Sequence, residues 1–275
     1  MVAPMSDTKG PAADVAVQTI DVAGTPTALR RAGDGPPLLF LHGAGFTGSW
    51  LRFHEALAKT ADLLAPEHIG FGDTPMQEWM RGMDDMLVHY DDLVRALDLE
   101  RFDLVGYSLG GWIAARYAVM WPERVRSLTL IVPAGLRLPG TPTPPDLFLM
   151  DPDQLADHLF EDRTNIDEVF ALPEGVDPID AAMRMYAQMS AAARLLWNPR
   201  HDRSLPRVLR RITAPTLLVG AENDRLLPDE NTVGSYGQLI PHARTERIPG
   251  TGHALIVEQP EAVAQTVLNF VKEAS

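Results

Sequence analysis

Short apolar runs alternate with longer amphipathic ones along most of the chain, a rhythm that predicts strands and helices in turn. Residues 15–22 and 27–32 alternate loosely around Ala23-Gly24-Thr25-Pro26, the pattern of a β-hairpin. Residues 37–41 are wholly apolar, as in a central strand buried on both faces. A helix over 49–59, a strand over 62–66 and a helix over 83–97 follow. The last carries Met83, Met86, Leu87, Tyr90, Leu93, Val94 and Leu97 on one stripe. Strands at 102–105 and 125–132 then flank a strongly helical run over 112–121. This order favours a parallel sheet with helices on both faces.

After residue 135 the rhythm breaks. Residues 135–145 are rich in proline and too poor in N–H donors for a sheet strand. From 146 to 205 the chain reads as helical. Asp151-Pro152 marks one helix start, and further helices are predicted over 165–172 and 178–196. Strand signals return at 215–220, followed by a helix over 229–239 and an edge strand over 244–248. A loop at 249–253 and an amphipathic helix over 260–273 close the chain. The domain reading is therefore a core of 15–135 and 206–275 interrupted by a helical cap, 136–205.

Composition narrows the function. Net charge of -13 disfavours nucleic acid and anionic membrane surfaces as partners. With no cysteine there is no disulfide, thiol nucleophile or cysteine metal site, and no histidine pair has i,i+4 spacing, so no metal or cofactor is expected. No run approaches the ~20 apolar residues of a membrane span. Residues 1–14 are polar, without the apolar stretch or basic flank of a signal peptide. The expectation is a cytoplasmic protein with a frayed start that acts on a small molecule, with homodimerisation left open.

The chemistry centres on Gly106-Tyr107-Ser108-Leu109-Gly110-Gly111, a G-x-S-x-G pattern between a strand and a helix. A serine at so sharp a turn needs neighbours without bulk, and the helix start behind it favours negative charge. Serine is a poor nucleophile without a base, and the base needs a carboxylate to fix its tautomer. His253, in a glycine-flanked loop, is the candidate base, and Asp224, just past the 215–220 strand, the candidate acid. Glu222 and Asp229 compete as acids and His242 as base. In His42-Gly43-Ala44-Gly45-Phe46 the Ala44 N–H can pair with the Leu109 N–H as an oxyanion hole. His42 is read as a brace for this turn, and His68 as a loop-stabilising group.

On these stretches, with Val219-Gly220-Ala221-Glu222-Asn223-Asp224-Arg225 and Gly252-His253 through Glu258-Gln259-Pro260, the chain resembles the α/β-hydrolase superfamily from about Val15 to Val271. The resemblance implies an eight-stranded, mostly parallel sheet with a cap after the sixth strand. It also implies a Ser-Asp-His triad in that chain order. Branches with an aspartate at the place of Ser108 are set aside.

The activity expected is hydrolysis of a small or medium ester or lactone through an acyl-enzyme. Phe46, Trp112, Met150, Met189 and Trp197 are the candidate substrate contacts. The alternative is carbon–carbon hydrolysis of ring-fission products. Enzymes of that branch usually carry a proline after the oxyanion glycines and a tryptophan after the histidine, where this chain has Phe46 and Ala254. From another class, a ligand-binding receptor on the same fold would retain all three residues.

Overall fold

The structure, a computed structural model, describes residues 15–171, 175–197 and 201–274. Eight strands form one sheet in the order β1-β2-β4-β3-β5-β6-β7-β8. They are β1 (Val17–Val22), β2 (Thr25–Ala32), β3 (Pro37–Leu41), β4 (Asp62–Pro66), β5 (Phe102–Tyr107), β6 (Val125–Ile131), β7 (Thr216–Ala221) and β8 (Arg244–Ile248). Only β2 runs against its neighbours.

The hairpin is tighter than the sequence pattern suggests. Ala23 and Gly24 both adopt positive φ, at 47° and 85°, and make the turn alone. Pro26 therefore falls inside β2, opposite Asp21. Its missing N–H does no damage there, because β2 pairs with β4 only from Leu29 onward.

Alternation along the strands divides the core in two. Leu38 and Phe40 of β3 face a cluster with Phe53 and Leu57 of α1 (Arg52–Ala58) and Val263 and Val267 of α10 (Pro260–Ala274). Leu39 and Leu41 face the opposite cluster, with Leu87, Tyr90 and Val94 of α2 (Met83–Ala96) and Ile113 and Tyr117 of α3 (Leu109–Met120). Each leucine or phenylalanine so buried contributes about 1.5–3 kcal/mol over its exposed state. The central helix α3 is apolar almost all round, as suits a helix enclosed by sheet and neighbours.

Between β6 and β7 the described residues form only helices: α4 (Pro152–Leu159), α5 (Asp167–Phe170), α6 (Pro178–Leu196) and α7 (Leu205–Val208). The predicted helix start at Asp151 is a capping box. Its carboxylate accepts from Gln154 backbone N–H at 2.9 Å, and the Gln154 side-chain Oε1 accepts from Asp151 N–H at 3.1 Å. The helix expected over 165–172 shrinks to α5, and Leu172 lies outside the described residues, as do residues 1–14. The two ends of this helical excursion touch: Asp202 N–H donates to Gly135 O at 2.8 Å. The chain then passes through α7 and a 3₁₀ turn at Leu209–Arg211 to β7.

The remaining helices are α8 (Val233–Leu239), which starts four residues later than expected behind a 3₁₀ turn at Asp229–Asn231, and α9 (Leu255–Glu258), one turn the sequence pattern does not reveal. Among the described residues no helix is long and apolar enough to cross a membrane.

Candidate active site

Strand β5 runs straight into α3 with only Ser108 between them. The serine sits at φ 52° and ψ -113°, a strained conformation for a residue with a side chain. Its backbone is held from both sides, with Ser108 N–H donating to Ile131 O at 2.9 Å and Ser108 O accepting from Ala134 N–H at 3.0 Å. The glycines are required by close approach. A Cβ on Gly106 would lie 2.3 Å from Gly110 O, and one on Gly110 2.0 Å from Leu41 O.

The structure brings Ser108, Asp224 and His253 together from the ends of three strands. His253 Nε2 is 2.9 Å from Ser108 Oγ, and His253 Nδ1–H donates to Asp224 Oδ2 at 2.7 Å. The other oxygen, Oδ1, accepts from Leu226 N–H at 3.0 Å and Leu227 N–H at 2.7 Å, so the carboxylate is fixed before it meets the imidazole. His253 and Asp224 are almost wholly buried, while Ser108 is half-buried. Tyr107, beneath them, donates its hydroxyl to His253 O at 3.0 Å.

The competing groups are engaged elsewhere. Glu222 accepts from Gly250 N–H at 2.8 Å, and Asp229 pairs with Arg247 at 2.8 Å. His242 lies 3.1 Å from Ala214 O, at the opposite end of β7.

The turn after β3 stands against the serine. Ala44 and Leu109 both line the cavity beside Ser108, and neither N–H is bound by another group among the described residues. His42 braces this turn: its Nδ1–H donates to Gly43 O at 2.8 Å, and its Nε2 accepts from His68 N–H at 3.0 Å. His68 stacks on it at 3.7 Å, donates Nε2–H to His42 O at 2.8 Å, and accepts from the Tyr90 hydroxyl. Burial keeps both rings neutral, pushing His42 down to about 4 and His68 well below the usual histidine range.

A cavity of about 520 Å³ opens above the serine, of the size that takes a small organic molecule. Phe46, Met189 and Trp197 line it as expected from sequence. Trp112 and Met150 do not. Trp112 lies across Gly135, whose Cβ would be 2.3 Å from the indole, and its Nε1–H points 3.4 Å from Asp202 Oδ2. Met150 packs instead, partly buried, against the core cluster that includes Phe53 and Val263.

Leu155 and Leu159 of α4 and Leu226 and Leu227 after the acid form much of the wall, and sequence reasoning missed them. The i,i+4 leucines of α4 were the available signal. Among the described residues no three His, Asp or Glu side chains gather to hold a metal.

Residues 38–266 match the profile of the alpha/beta hydrolase family. The chain belongs to that family. It is a hydrolase, and two of its relatives match it over nearly their whole length. A 2-hydroxymuconate semialdehyde hydrolase from a Pseudomonas species is 29% identical over 266 residues, 93% of this chain and 93% of that one. A 2-hydroxy-6-oxo-2,4-heptadienoate hydrolase from Pseudomonas putida is 27% identical over 259 residues, covering 90% and 93%. Among solved structures, a bacterial membrane phospholipase A superposes with a TM-score of 0.74 at 26% identity, over 94% of this chain and 86% of that one.

Proposed function

We propose that this hydrolase cleaves the carbon–carbon bond beside the ketone of a ring-fission-type dienone acid, with Ser108 as nucleophile, His253 as base and Asp224 as its orienting acid. The hydrogen-bonded file from Ser108 Oγ through His253 to Asp224 supports the hydrolytic chemistry. The choice of bond rests on one observation, the match to a 2-hydroxy-6-oxo-2,4-heptadienoate hydrolase and a 2-hydroxymuconate semialdehyde hydrolase over at least nine-tenths of both chains.

The chemistry is consistent with these groups. A carbon leaving group departs readily only as a delocalised anion. Moving a proton from the 2-hydroxyl to C5 of a 2-hydroxy-6-oxo-2,4-dienoate leaves a 2-oxo-3-ene. That group accepts the C5–C6 electron pair as a dienolate. Ser108 Oγ attacks C6 as His253 takes its proton, and the oxyanion sits between the Ala44 and Leu109 N–H groups. Each such donor is worth roughly 10²–10³ in rate. His253 gives its proton to the departing dienolate and is neutral again; water, activated by the same histidine, then releases the acid and restores Ser108.

Ester or lactone hydrolysis is the second reading. It is supported by Phe46 and Ala254, which stand where carbon–carbon hydrolases usually carry proline and tryptophan. Ala254 is fully buried and its N–H is bonded to Leu159 O at 2.7 Å.

The test compares kcat/KM for 2-hydroxy-6-oxohepta-2,4-dienoate, followed by loss of its chromophore, with p-nitrophenyl butyrate and a small lactone. We expect the dienoate to lead by at least about tenfold, a difference of ~1.4 kcal/mol at the transition state. A lead for the ester or lactone sinks the carbon–carbon reading. Ser108→Ala should abolish turnover of whichever substrate leads.

A further inference from the structure

The helical excursion and the loop that carries His253 meet backbone to backbone. Gly252 has no space for a side chain, since a Cβ there would lie 2.7 Å from Leu159 O and 2.8 Å from Glu161 N. One carboxylate reinforces the seam beside the direct bond from Ala254 N–H to Leu159 O. Glu258 ends α9 and turns back, so that Oε2 accepts from Gly252 N–H at 2.7 Å. Its Oε1 accepts from Glu161 N–H and Asp162 N–H, each at 2.7 Å. Charge-assisted bonds of this kind are about twice as strong as neutral ones.

Other contacts follow the same line. Asn165 donates to Val257 O at 3.2 Å, and Arg225, next to Asp224, donates to Asp157 O at 2.9 Å and pairs with Glu161. The stretch 157–165, continuous with the Leu155 and Leu159 wall of the cavity, is thus tied to both loops that carry the acid and the base.

We propose that Glu258 is a positioning residue for His253: it binds the residue before the imidazole to Glu161 and Asp162 in the turn after α4, so the base is correctly placed only while that wall of the cavity is seated. The three donors come from two separate segments, and a two-oxygen anion can satisfy them together. Glutamine offers one acceptor, and its amide N–H groups face another donor. The proposal rests on the reading of Ser108 and His253 as nucleophile and base.

The experiment uses the full chain as wild type, Glu258→Gln and Ser108→Ala. It measures the second-order rate of fluorophosphonate labelling at Ser108. It also records the downfield proton resonance of His253 Nδ1–H bonded to Asp224, assigned by its loss in His253→Gln. With circular dichroism unchanged, Glu258→Gln should label about 10²-fold more slowly, the scale of a ~1 Å misplacement. Its downfield resonance should shift or broaden. An unchanged rate together with an unchanged resonance overturns the proposal.

If wild type fails to label, the nucleophile reading falls separately. The resonance then decides whether Glu258 places His253. If Glu258→Gln does not fold, Asn165→Ala opens the same seam without touching the carboxylate. It should slow labelling in the same direction, and an unaffected rate overturns the proposal.

Discussion

Asp224 shows how much of a site can depend on two backbone N–H groups. With Oδ1 held by Leu226 and Leu227, only Oδ2 is available to His253 Nδ1–H, which turns Nε2 toward Ser108 Oγ as the proposed chemistry requires. Asp224→Asn keeps the shape and turns an N–H toward a ring nitrogen that must then change tautomer. We expect kcat to fall about 10⁴-fold with an unchanged melting temperature, and a loss under tenfold would remove Asp224 from the role.

The three residues were legible because each sits on a strand end marked by glycine or by a short apolar run. Trp112 was misplaced for an equally physical reason. It lies four residues past Ser108 on α3, and a large aromatic so near a nucleophile suggests a substrate contact. The sequence gives no sign that Asp202, far along the chain, draws the indole away. Glu258 could be seen only as part of a motif, because two of its three backbone partners lie almost a hundred residues away.

At the level of elements, α4 carries more than its length suggests. It has eight residues, and short helices are marginal unless capped and packed. The Asp151–Gln154 box supplies the cap, and Leu159 and Ala156 supply the packing. Asp151→Ala should cost about 0.5–2 kcal/mol. Hydrogen exchange should locate the loss, with faster exchange along α4 than along α3. Equal acceleration in both would mean that α4 does not open on its own.

The strands were readable to within about two residues, the central ones because buried runs of a parallel sheet stand out from their polar surroundings. The one-turn α9 was hidden because four residues hold too little periodicity to register. The long α6 was visible through its length and Pro178 start, but its pattern does not show that Ile179, Met183 and Tyr186 remain exposed.

Across the whole molecule, buried histidines set the response to acid. Burial lowers His42 and His89 to about 4, His54 to about 3, and His68 well below the usual range. Their folded values lie below the unfolded value near 6.5, so between these limits the unfolded chain binds more protons. The stability they contribute is present above about pH 6.5 and is lost as pH falls toward 4. The slope is about 1.4 kcal/mol per pH unit for each proton taken up. Denaturant unfolding from pH 7.5 to 4.5 should show this decline, and His54→Asn should flatten it. A profile level through that range would mean that these rings find protons while folded.

The single hydrogen bond from Asp202 to Gly135 bears on the history and redesign of the chain. An excursion whose two ends already touch can be lengthened, shortened or exchanged with little strain on the sheet below, because closing the gap requires no new path. Inheritance of a new specificity then becomes a matter of grafting at one junction. The graft must still present two backbone N–H groups to Glu258, and that requirement would leave a common footprint among otherwise unlike inserts.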